Sequence, residues 1–175
     1  MIKIIGIDPG LAETGIAVVS GAGDKVSVYS FGSIRTSPNM LLPERLNRVF
    51  SDLLPLLESE KPDLMVVEDI FSLDRYPKSG ITLGKVTGVI LLAAYRMNCT
   101  VTEVPVREAK QILTGNGNAG KAQLEKAVRH FLKSETPIKP FHASDAMALA
   151  LIGLFRYKGF RGTPAAMHLR DALTP

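Results

Sequence analysis

Two short apolar segments, each ending on an acid, constrain this chain more than any other feature. The first is Lys3-Ile4-Ile5-Gly6-Ile7-Asp8, closed at once by Pro9-Gly10. The second is Leu64-Met65-Val66-Val67-Glu68. Neither alternates polar with apolar residues, so both predict strands covered on both faces, in the middle of a sheet. A third acid, in His142-Ala143-Ser144-Asp145, opens the most apolar helical stretch of the chain. Burying a carboxylate without a partner is expensive. Acids brought to the ends of three buried segments need a common partner, and a divalent cation is the simplest one.

The remaining elements follow from spacing and punctuation. Ile2–Asp8, Thr14–Ser20 and Lys25–Arg35 read as three antiparallel strands, with turns at Pro9-Gly10 and Gly21–Asp24. Leu46, Val49, Phe50, Leu53, Leu54 and Leu57 recur at helical spacing and predict a helix entered at Pro43. Pro55 inside that pattern predicts a kink or a break. A strand over Asp63–Glu68, a polar loop over Asp69–Ser79, a helix over Gly80–Met97 and a strand over Thr100–Val104 follow. Two helices, Pro105–Leu113 and Gly120–Leu132, flank a loop rich in glycine and asparagine. The last helix runs from about Ala143 to Tyr157, and the polar, aperiodic residues 158–175 read as a flexible C-terminal tail after a single domain, 1–157. Three meandering strands followed by strand-helix alternation predict an α/β fold: a mixed five-stranded sheet with helices on both faces. Sites in such sheets gather at strand ends. Asp8 and Glu68 obey that rule if their strands are neighbours.

Bulk properties narrow the function classes. The chain has 175 residues, 46% apolar and 22% charged, which suits one well-filled core. A net charge of +4 leans toward a polyanionic partner. The single cysteine, Cys99, excludes an internal disulfide and reads as an inert buried thiol. The N-terminus lacks signal-peptide architecture, and the longest strongly apolar run, Val89–Ala94, is far too short to span a bilayer. A cytoplasmic protein with no membrane association is expected.

Three strand-end or helix-start carboxylates suit two-metal hydrolysis, which places ions roughly 3.5–4 Å apart to activate water and stabilise the leaving oxygen. Magnesium favours such carboxylates. His142 and Asp145, three residues apart, share a helix face. Gly6-Ile7-Asp8-Pro9-Gly10, Val67-Glu68-Asp69-Ile70-Phe71, Lys110-Gln111, Gly120-Lys121 and His142-Ala143-Ser144-Asp145-Ala146 occur in the order found in RuvC-type Holliday-junction resolvases, which the chain resembles over about Ile2–Leu154. The resemblance implies a ribonuclease-H-like fold, a homodimer, and magnesium-dependent symmetric nicking of four-way DNA junctions in recombination and repair. It implies two Mg2+ ions per site, for which Mn2+ can substitute, held by Asp8, Glu68, His142 and Asp145, and products with 5′-phosphate and 3′-hydroxyl ends. A branch-migration helicase complex is a further implied partner. The chain departs from the family pattern at His142, where many members carry aspartate, and at Gly80-Ile81-Thr82-Leu83-Gly84 and Val86-Thr87-Gly88. These departures bear on DNA contacts and dimer detail more than on chemistry.

Other features have two readings. Asp8 is good turn chemistry, Asp145 suits a helix start, and His142 suits an exposed or capping position. Gly115–Ala122 nearly spells a phosphate-binding P-loop, but Ala122 lacks the hydroxyl for magnesium and the preceding segment reads as helix, so an NTPase is rejected. Lys110 and Lys121 read as phosphate contacts or as solvated helix surface. Phe71 and Tyr76 lie among Arg75 and Lys78; Phe71 and Arg75 are expected to touch DNA, although Phe71 could tuck into the core instead. The stripe Gly80, Gly84, Gly88 suits a dimer seam or a helix lying close on its own sheet. His130 and His168 read as surface residues. The alternatives to a junction resolvase are a related nuclease acting on RNA or another DNA structure, and a catalytically silent junction-binding protein.

Overall fold

The computed structural model describes residues 1–69 and 77–157, without side chains at 77 and 78. Phe71, Arg75, Tyr76, Lys78 and the expected tail therefore lie outside what it describes. Five strands, β1 (Ile2–Asp8), β2 (Glu13–Ala22), β3 (Lys25–Arg35), β4 (Leu64–Glu68) and β5 (Val101–Val104), form one sheet in the order β3-β2-β1-β4-β5. The first three pair antiparallel as a meander, while β4 runs parallel to β1 and β5 parallel to β4. Five helices complete the fold: α1 (Leu42–Glu60), α2 (Pro77–Arg96), α3 (Val106–Thr114), α4 (Lys121–Leu132) and α5 (Phe141–Arg156).

The strand pleat sends alternate residues to opposite faces. Ile5 and Ile7 of β1, Ile16 and Val18 of β2, and Met65 and Val67 of β4 meet Val49, Leu53 and Leu57 of α1 and Val86 and Ile90 of α2. Ile4 of β1, Ala17 and Val19 of β2, and Leu64 and Val66 of β4 meet α5, which is covered in turn by α3 and α4. Asp8 shares parity with Ile4, and Glu68 with Leu64 and Val66. Both acids therefore face the α5 side. At the far end of the pair, the Lys3 and Asp63 backbones bond each other, and the Asp63 carboxylate accepts the Lys3 amide at 2.8 Å. That clamp holds the β1–β4 register that sets Ile7 opposite Val67.

α5 is buried over residues 143–154, on every side, as expected for a helix between a sheet and a second helical layer. It lies unusually close to the sheet. A Cβ on Gly6 would meet the Ala146 carbonyl oxygen at 2.0 Å and the Ala150 amide at 2.7 Å. A Cβ on Gly15, the residue paired with Asp8, would meet the His142 carbonyl oxygen at 2.1 Å. Only glycine admits this approach, and with Gly153 of α5, where a Cβ would meet Val66 Cγ2 at 2.6 Å and Ile4 Cγ2 at 2.7 Å, these glycines set the height of α5 above the strands.

Two expectations need correction. α1 runs unbroken through Pro55. Pro55 is exposed, so the carbonyl it leaves free in the preceding turn faces water, while Leu53 and Leu57 on the buried side hold the helix in place. The helix expected from Gly80 begins at Pro77, and Gly84 and Gly88 do not lie on the sheet: both are exposed, and a Cβ on either would meet nothing within 4 Å. The other predicted elements stand, with ends shifted by up to three residues. Cys99 is a buried free thiol whose pKa burial raises to about 11, as expected of an inert side chain.

Gly6→Ala must push α5 off β1, and because the obstacle is backbone the cost should reach the top of the overpacking range, about 3 kcal/mol. Gly32→Ala in β3, where a Cβ meets nothing within 4 Å, should be nearly neutral. Denaturant midpoints of the two variants check this; equal midpoints would contradict the close contact.

Candidate active site

Parallel pairing of β1 and β4 brings Asp8 and Glu68 side by side, and the first turns of α5 bring His142 and Asp145 over them. His142 Nδ1 and Asp8 Oδ2 are 2.5 Å apart. With the carboxylate oxygen as acceptor, Nδ1 is the donor, and Nε2 carries the ring's one in-plane lone pair or a second proton. That contact raises the His142 pKa above its ordinary value, chiefly through the hydrogen bond to Asp8 and against partial burial. Glu68 hydrogen-bonds Asp8 and is pushed up to about 9, first by burial and then by the charges of Asp8 and Asp145. Asp145 is raised too, by burial and then by Asp8. Its Oδ1 is buried without a hydrogen-bond partner.

Two lysines oppose this crowding. The Lys110 charge acts on Glu68 and Asp145, and the Lys121 charge on Asp145 and His142. Both lysines thus lie within electrostatic reach of the acids. α3 brings Lys110. Lys121 opens α4, and the loop before it has a pin that the sequence did not reveal: the Gln111 amide donates to the Gly115 carbonyl at 2.9 Å and accepts from the Gly117 amide at 2.9 Å. The turn after Asp8 is also tied down. Thr14 Oγ1 donates to the Gly10 carbonyl at 2.8 Å, and Thr36 donates through its backbone to Ala12 and through its hydroxyl to Leu11.

Glu13 stands at the rim without having been foreseen. Its carboxylate accepts from Ser33 Oγ at 2.7 Å and Arg35 Nε at 2.8 Å, bonds that hold its pKa below the ordinary value, and its charge reaches His142. The cross-strand register Glu13–Arg35 is the signal that could have found it. Gly15 was equally invisible, because its role depends on a helix more than a hundred residues away. His130, on α4, is exposed as expected.

The donor set, three carboxylates and an imidazole, matches a hard divalent cation by type, and the orphaned Asp145 Oδ1 and the proton held on Glu68 are where a cation would act. Among the described residues no three such side chains are gathered as a formed cation cage. Asp8 is instead turned onto His142.

Residues 4–153 match the family model described as crossover junction endodeoxyribonuclease RuvC. The chain belongs to the RuvC family. A RuvC from Carboxydothermus hydrogenoformans is 38% identical over 157 residues, covering 90% of this chain and 98% of that protein. One from Prosthecochloris aestuarii is 35% identical, covering 86% and 80%. The structure of Thermus thermophilus RuvC in complex with a Holliday junction substrate matches with a TM-score of 0.82 and 30% identity, over 89% of this chain and 94% of that one. The fold is therefore ribonuclease-H-like, and RuvC proteins are endodeoxyribonucleases, enzymes that hydrolyse phosphodiester bonds. The yeast mitochondrial Holliday junction resolvase, at 14% identity and a TM-score of 0.59, shares the fold. No helix among the described residues is long and apolar enough to cross a membrane.

The crowded acids make stability depend on pH. Glu68 titrates near 9 in the folded chain against about 4.5 unfolded, so between those values the native state binds more protons. Stability of the metal-free protein should therefore fall as pH rises through that window; the raised His142 and Asp145 add the same sign. Thermal melts in chelator from pH 5 to about 9 should show the fall. Glu68→Gln should flatten it, and a slope unchanged by that substitution would contradict the shared-proton arrangement.

Proposed function

We propose that this protein resolves four-way DNA junctions, cutting two symmetry-related strands by hydrolysis at the Asp8–Glu68–His142–Asp145 site. The observation that carries the reading is the convergence of these four side chains, from two parallel strands and one helix, beside Lys110 and Lys121 in a chain of the RuvC family. Asp8, Glu68 and Asp145, with His142, would hold two magnesium ions; manganese would serve in their place. Bound there, the cations would supply charge neutralisation at the phosphate and a lowered pKa for the attacking water. The chain's own residues do the rest. Lys110 and Lys121 hold the backbone phosphate by charge. The buried carboxylates give up their shared proton to become ligands. His142, fixed through Nδ1 to Asp8, presents Nε2 as a further ligand or as a proton carrier. Phe71 and Arg75, in the segment after Glu68, would contact the junction near its crossover.

One such site cuts one strand, so symmetric cutting calls for a two-fold dimer. α2 offers the seam. Ile81, Leu92 and Tyr95 are 63%, 52% and 79% exposed, and Gly84 and Gly88 complete their stripe without side-chain bulk. Exposed large apolar residues aligned on one helix face mark an interaction surface. A branch-migration helicase complex is the proposed further partner, and the cytoplasm the proposed location.

The experiment is cleavage of junction DNA, duplex DNA and structured RNA in parallel, with and without magnesium. Magnesium-dependent, paired nicks confined to the junction are expected. Preferential cutting of RNA or duplex would favour a different nuclease, and binding without cutting a silent junction binder. Asp8→Asn, Glu68→Gln and Asp145→Asn should each lower the cleavage rate by at least about a hundredfold, the scale of losing a catalytic group, while binding persists. Full activity in any one removes that residue from the site.

The assembly has its own test. Sedimentation at micromolar concentration should show a dimer for wild type and a monomer for Leu92→Glu, with junction cutting lost in proportion. A Leu92→Glu dimer would move the seam away from α2.

A further inference from the structure

Lys139, Phe141 and Lys121 form a cluster at the edge of the acidic site, and the chemistry above uses only one of them. The Lys139 ammonium lies 4.2 Å from the centre of the Phe141 ring, and the Lys121 ammonium 6.0 Å from the same centre. Both lysines are exposed and the ring is half-buried. The negative face of an aromatic ring attracts each cation, while the two cations repel one another. Among the described residues neither lysine has an ion-pair partner. Two ammonium groups within 6.0 Å of one ring centre, neither in an ion pair among the described residues, leave positive charge beside the site that an anion can meet. At 4.2 Å the Lys139 ammonium covers a face of the ring, so that face is not open for stacking on a base.

The position defines the anion. Phe141 directly precedes His142, and the Lys121 charge already acts on Asp145 and His142. The cluster thus adjoins the acidic site at the start of α5. We propose that Lys139 and Lys121, held on the Phe141 ring, form a binding subsite for a backbone phosphate of the nucleic-acid strand being cut, adjoining the phosphate that is hydrolysed. The subsite rests on the nuclease reading of the acidic site. Phe141 is a positioning residue in it, and Lys139 a binding residue.

The test measures junction affinity of the full chain across a salt series in chelator, for wild type, Lys139→Ala, Phe141→Leu and Phe141→Trp. Neutralising one phosphate adds about one unit to the slope of log affinity against log salt. Lys139→Ala should lower that slope by about one, and binding at low salt should weaken with it. Phe141→Leu keeps the apolar bulk but removes the π face, and should weaken binding roughly two- to fivefold; Phe141→Trp should restore it. A role in packing alone would not separate leucine from tryptophan in this way. If Lys139→Ala binds with wild-type slope and affinity, the subsite is overturned and Lys139 is solvated surface. The same holds if the leucine and tryptophan variants bind alike. Wild type that binds no nucleic acid at any salt would overturn the nuclease reading and the subsite together, so the two failures are distinguishable.

Discussion

The contact between α5 and β1 is the constraint on which the rest depends. Gly6 lets the Ala146 carbonyl come to a distance that no side chain would permit, and Gly15 does the same for the His142 carbonyl. A helix resting on ordinary side chains would ride higher, and His142 and Asp145 would hang away from the strand ends. Because α5 is buried all round, α3 and α4 press it onto these glycines from the other side. The core and the candidate active site are therefore one object: the same packing that excludes water from Ala146 and Ala150 sets the His142–Asp8 distance.

That closeness has an electrostatic consequence. Three carboxylates share a small, partly dry space, and without cations they cannot all ionise. A proton stays on Glu68, and the hydrogen bond between His142 Nδ1 and Asp8 Oδ2 raises the His142 pKa. Lys110 and Lys121 offset the remainder from outside the first ring of groups. The arrangement is strained in charge but sound in hydrogen bonds, apart from Asp145 Oδ1. Divalent cations bound there would remove the strain, which would tie the stability of the site to the ions proposed for its chemistry.

The two helical layers divide the work. α3, α4 and α5, on one face, carry the basic and acidic groups that meet the strand ends. On the other face α1 and α2 build core inward, through Leu53, Leu57, Val86 and Ile90, while α2 turns Ile81, Leu92 and Tyr95 outward. The proposed surface for assembly and the proposed surface for substrate then use different residues.

Much was legible in the sequence because it is local. Apolar runs broken by Pro9-Gly10 and Gly23-Asp24 report strands and turns directly, and the helical spacing of Leu46 to Leu57 survives even an internal Pro55, whose missing bond faces water. Asp8, Glu68 and Asp145 stood out because an acid at the end of an apolar segment needs a reason to be there. The tertiary structure alone decided what depends on distance between remote segments. It made β1 and β4 parallel neighbours, so that strand parity aims both acids at α5. It assigned Gly15 to His142, Gln111 to the loop before α4, and Lys139 to Phe141, and it turned Gly84 and Gly88 outward from the sheet. Pattern and propensity report which way a residue faces within its own element; which partner it meets is decided only when close packing brings the elements together.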